Sequence, residues 1–152
     1  MKFVKRLVNL PILFLGIGIV CGLVALIIYY ATGINEFNDT LSPLCLGFSY
    51  AAIILGVVLV LARLFGVDNL KHIGDNFDIL VVTDYLFGLA AFLFFITSKV
   101  NYIANVFVSI DGTTFDPAFI MTILFYIISF VAILVSSILY KKIVQENKEW
   151  GN

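Results

Sequence analysis

Asp84 is the one charged residue in the apolar stretch from Ile79 to Ser98. A carboxyl group surrounded by hydrocarbon has two chemistries open to it: it takes up and releases a proton, or it holds a cation. A charge at the centre of a membrane helix costs about 2.5–3.5 kcal/mol on insertion scales, and less nearer the interface. Such a residue therefore points inward and has a partner. Asp84 lies six residues beyond Asp78, roughly 9 Å further along a helix.

Arg63 sits near the end of another apolar stretch, Leu44 to Phe65, in the same leaflet as Asp84. The short connection between these stretches makes them neighbours, so an Asp84–Arg63 ion pair is the expected arrangement. The arginine stem is also long enough to carry its guanidinium to the membrane surface without touching Asp84. Functionally, the two residues read as an ion site, with Asp84 protonating as a solute moves. Structurally, they read as an ion pair that fixes helix register, or as a neutral acid bonded to a tyrosine or serine. There is no second deep acid to relay protons, so the structural role outweighs the functional one.

Other chemistry finds few residues. Cys21 and Cys45 fall in or beside apolar stretches, outside any C-x-x-C pattern, and read as small packing residues. The single histidine, His72, reads as a loop residue and leaves nothing for a haem or a His-based metal site. The chain has no G-x-S-x-G, no H-E-x-x-H and no Walker-type lysine loop. It also lacks a basic, aromatic surface for nucleic acid. No catalytic residue, metal ligand or cofactor is expected, and an enzyme is not. An enzyme acting on lipid would need a polar cluster at one interface. Arg63, Lys71, Asp75 and Asp78 are the only group of that kind, and they read as ordinary loop charges. Asn38-Asp39-Thr40 matches a glycosylation pattern but reads as coincidence.

Composition dictates what must position Asp84. Of 152 residues, 62 % are hydrophobic and 12 % charged, against about 45–50 % and about 25 % in soluble domains. Lipid has to be the solvent. Four stretches reach the about 20 residues needed to cross hydrocarbon: about 10–31, 44–65, 79–98 and 117–140. A lipid-exposed backbone must satisfy its own hydrogen bonds, and four spans are too few for a barrel, so they are helices. Ser42-Pro43 and Asp116-Pro117 supply a capping side chain and a first-turn proline, Asn9 and Pro11 do the same for the first span, and Asp75 and Asp78 suit the start of the third. The first span is longer than the about 7–15-residue core of a signal peptide and is read as retained.

Small and polar residues form one stripe per span. Gly18, Gly22, Ala25 and Tyr29 share a face in the first, and Cys45, Ser49, Ala52, Gly56 and Arg63 in the second. Asp84, Gly88 and Ala91 mark the third, and Thr122, Tyr126, Ser129, Ala132, Ser136 and Tyr140 the fourth. Small residues mark close helix contacts in lipid, so Gly18, Gly22, Gly56 and Gly88 are expected where helices meet. Between spans three and four, Tyr102, Ile103, Val106, Phe107 and Ile110 alternate with Asn101, Asn105 and Ser109 at helical spacing. That pattern describes an amphipathic segment in the headgroup region, either covering helix ends or serving as a lid. Asp111-Gly112 reads as a turn before the last helix.

The expectation is therefore one four-span all-α bundle in the lipid bilayer. Small-residue stripes without a polar pathway point to a non-enzymatic accessory, regulatory or structural component, pairing with itself or another membrane protein. A small transporter or channel subunit using Asp84 is the alternative. Lys99 is the one basic residue in the first and third connections, while the other eight flank the termini and the middle connection. Both termini are thus expected in the cytoplasm, in the plasma membrane of a bacterium. A fluorescent reporter after Asn152 should then be cytoplasmic, and alkaline phosphatase inserted at Asp111 should be active outside. The reverse pattern would overturn the topology.

Overall fold

The computed structural model describes residues 10–32, 41–65, 74–108 and 114–149. Among them run five helices: α1 (Leu10–Thr32), α2 (Pro43–Phe65), α3 (Gly74–Ser98), α4 (Val100–Phe107) and α5 (Pro117–Glu149). Described residues include no strand. Four of the helices are long and apolar enough to cross a membrane, over Leu10–Ala31, Pro43–Phe65, Ile79–Ser98 and Pro117–Tyr140. His72, Lys71, Asn38-Asp39-Thr40 and Asp111-Gly112 lie outside the described residues.

Local chemistry sets several helix ends. The Ser42 hydroxyl accepts from the Cys45 N–H at 3.3 Å, and Asp116 Oδ1 accepts from the Ala118 N–H at 2.8 Å. Pro43 and Pro117 follow directly, where a missing N–H costs nothing. Helix α3 begins at Gly74, so Asp75 and Asp78 lie within its opening turns rather than before it. Helix α5 runs on past its apolar part to Glu149.

The long helices are neighbours in the order α1, α2, α3, α5 and back to α1. Outward faces carry large apolar side chains, such as Val20 and Ile27 on α1, Ile54 and Leu61 on α2, and Ile138 on α5. Water would not tolerate that surface, but lipid does. Inward faces carry the small and polar stripes: Gly18, Gly22, Gly56 and Gly88 are all buried, as are Ser49, Asp84, Thr122, Ser129 and Ser136.

The tightest seam joins α1 to α5. A Cβ on Gly18 would stand 2.7 Å from Ile133 Cγ1 and 3.0 Å from the Ser129 backbone oxygen. At Gly22 it would meet the Ser129 hydroxyl oxygen at 3.1 Å. With the backbones this close, the Ser129 hydroxyl donates to the Gly18 carbonyl at 2.7 Å. Elsewhere, Thr122 bonds back to Ala118 of its own helix at 2.8 Å, so its buried hydroxyl is satisfied.

Helix α4 is the amphipathic segment, though it covers only part of the connection. Tyr102 is buried and Ile103 and Val106 pack on the same cluster, whereas Phe107 faces outward with its ring edge on Phe115. The Tyr102 hydroxyl accepts from the Asp116 N–H at 2.6 Å, which pins α4 to the start of α5.

Replacing Gly18 by valine should destabilise the bundle by about 1–3 kcal/mol through overpacking. Gly16, with open space where its Cβ would be, should accept alanine with no loss. Unfolding curves in detergent for the two variants read the difference.

Candidate functional site

Asp84 is fully buried inside the bundle, and neither carboxyl oxygen has a hydrogen-bond partner among the described residues. Its space exists because residue 56 is a glycine. A Cβ there would lie 3.3 Å from Asp84 Oδ2 and 2.8 Å from Ile19 Cγ1. Any larger residue at position 56 would press on the carboxyl group and on α1 together. Fully buried Val81 and half-buried Tyr85 flank it on its own helix, with the Tyr85 ring turned to Phe130 at 6.2 Å. Leaving an ionised carboxylate bare in such surroundings is far more costly than burying a neutral polar group. The site must therefore be neutralised, by a proton or by a bound cation.

Arg63 does not do this. It is buried, but two turns of α2 away from Gly56, and no ion pair joins it to Asp84. Its Nη1 donates to the Ser136 hydroxyl at 3.0 Å, and that hydroxyl donates to the Pro11 carbonyl at 2.6 Å. Its guanidinium carbon lies 4.3 Å from the Tyr140 ring centre and 5.0 Å from that of Phe77. A planar cation between two ring faces gains attraction from both quadrupoles. The expected Asp84–Arg63 pair is thus not formed: α2 and α3 do meet, but Gly56 faces Asp84 while Arg63 lies level with Phe77. Ser136 stood in the α5 stripe already; its role as the arginine's acceptor was not legible there.

One turn beyond Asp84, a cavity of about 20 Å³ opens near the middle of the spanning helices, room for roughly one water molecule. Gly18, Gly22 and Gly88 leave it space, Ile19 and Ile133 form its apolar wall, and Ser49, Tyr126 and Ser129 bring hydroxyls to it. Ser49 and Tyr126 share a hydrogen bond of 2.9 Å, and Cys45 Sγ lies 3.6 Å from the Tyr126 oxygen. Beyond it, Tyr29 and Phe95 meet edge to face at 5.1 Å and Phe95 lies 5.6 Å from Phe119. The buried interior thus holds Ser49, Asp84, Ser129 and Ser136 as well as the Tyr126 hydroxyl. Hydroxyls on separate stripes meet around one cavity only when the helices are assembled. Ile19 carried no sequence signal at all, being one isoleucine among many.

Among the described residues no group of three or more His, Cys, Asp or Glu gathers for a metal ion. Comparison with protein-family models, with curated proteins and with solved structures finds no match to this chain.

Arg63→Ala should cost about 1.5–3 kcal/mol, the usual worth of a hydrogen bond from a charged donor, and more if the clamp rings repack. Arg63→Lys should recover only part of it, because an ammonium lacks the flat face that stacks between rings. Denaturation monitored by circular dichroism in detergent checks both.

Proposed function

We propose that this chain is a small non-enzymatic membrane protein that binds a proton or a cation at Asp84 and passes it across the bilayer, as a small transporter or channel subunit. The observation that carries this is the fully buried Asp84 carboxyl without a hydrogen-bond partner among the described residues. A residue kept only for register would be expected to have its lone pairs satisfied. Asp84 also points into its own bundle, so it is not placed to pair with a charge on a neighbouring protein.

A second reading, an accessory, regulatory or structural component, is favoured by the glycine seam between α1 and α5. That packing would suit a rigid module that docks through its lipid-facing sides, on another copy or another membrane protein. In both readings the protein sits in a bacterial plasma membrane with its termini in the cytoplasm, supported by the distribution of basic residues.

Reconstituted vesicles separate the readings. Under an imposed proton, sodium or potassium gradient, the wild type should show flux, and Asp84→Asn should lower it about tenfold or more, a loss of about 1.4 kcal/mol. Equal flux in the variant would end the role of Asp84. No flux in the wild type under any gradient would leave the second reading.

A further inference from the structure

The geometry points to a proton, not a metal cation, as the ligand of Asp84, exchanged through the cavity on the Tyr126 side. This rests on Asp84 being an ion site and names which ion it takes and by which way.

Coordination decides the first half. A hard metal cation stripped of water gathers about six or more oxygens. Asp84 offers two, and its surroundings at Gly56, Ile19 and Val81 bring only apolar atoms. No described hydroxyl hydrogen-bonds either oxygen, so none is gathered there to complete a coordination shell. A proton needs one bond to one oxygen. A hydronium ion delivers it, an O–H bond forms on the carboxyl, and water is released; the reverse step discharges the site.

The route follows from what fills each side. Toward Arg63, the bundle is filled by buried Leu15, Leu59, Phe77 and Val81, apolar side chains that offer a proton no hydrogen bond. Toward Tyr126 lies the cavity. Ile19 belongs to both places, lining the cavity and pressing on Gly56 beside Asp84 Oδ2. Rotation of that one side chain would join carboxyl and cavity, and the Ser49–Tyr126 hydroxyls stand at its far end.

Among the described side chains, few other groups bear on the titration. Helix α1 carries no acidic or basic residue. Helix α2 contributes Arg63, two turns off and tied to Ser136; α5 contributes Tyr126 across the cavity and Tyr140 on the arginine; on α3 itself, Tyr85 turns to Phe130.

Infrared spectroscopy of the full chain in lipid vesicles tests this. The wild type should show a protonated-carboxyl stretch that is missing in Asp84→Asn, weakens as pH rises, and shifts in heavy water. At fixed pH, sodium or potassium chloride should leave the band unchanged. Tyr126→Phe should slow the heavy-water shift about tenfold, a modest part of what a placed proton-transfer group contributes, while Arg63→Met should not slow it. A band displaced by sodium or potassium would overturn the choice of proton and leave Asp84 an ion site. Unslowed exchange in Tyr126→Phe would overturn the route. No band from Asp84 at any pH, with no response to either salt, would remove the ion site itself.

Discussion

Helices in hydrocarbon gain nothing by exchanging lipid for one another's apolar side chains, so close backbone approach and interhelical hydrogen bonds must hold the bundle. The Ser129 hydroxyl on the Gly18 carbonyl, at 2.7 Å, is where both occur together. It fixes α1 against α5 along the Gly18–Gly22 edge. That setting decides the level of Ile19, the next residue along, whose side chain meets the bare face of Gly56. Gly56 in turn leaves the space beside Asp84. The surroundings of the acid are thus a consequence of a seam on the opposite pair of helices.

The two halves of the bundle are built differently. On the Arg63 side, a guanidinium, a serine hydroxyl and the Pro11 carbonyl form a donor-to-acceptor chain between two rings. Each member polarises the next, and low dielectric strengthens the chain. On the other side, Tyr29, Phe95, Phe119 and Tyr126 pack as aromatic rings, with Tyr102 of α4 latched above them. Between these clusters the glycines leave a void one turn from Asp84, whose carboxyl has no hydrogen-bond partner among the described residues. Motion at a side chain such as Ile19 takes little rearrangement; moving the Arg63 clamp would break several contacts at once.

Much of the fold was readable in the residues. Apolar runs of spanning length gave four helices, and Ser42-Pro43 and Asp116-Pro117 marked two starts where capping bonds are found. The stripe residues lie on the buried faces because a helix repeats every 3.6 residues regardless of what it packs on. Burial of Asp84 followed from the cost of putting a carboxylate against lipid. What failed was partnership. Arg63 and Asp84 are the only opposite charges deep in the spans, and proximity along the chain suggested a pair. The way α3 packs on α2 puts Phe77, not Asp84, level with Arg63.

Spacing and composition alone therefore determined that this chain lives in lipid, how many times it can cross, and which face of each helix turns inward, since solvation and helical period act within one segment. Tertiary structure alone decided that Arg63 serves Ser136 and two rings, that Ile19 stands beside the acid, and that hydroxyls from two stripes align around a cavity. Those outcomes depend on the relative slide and rotation of separate helices, which side chains from all four fix jointly and no single segment encodes.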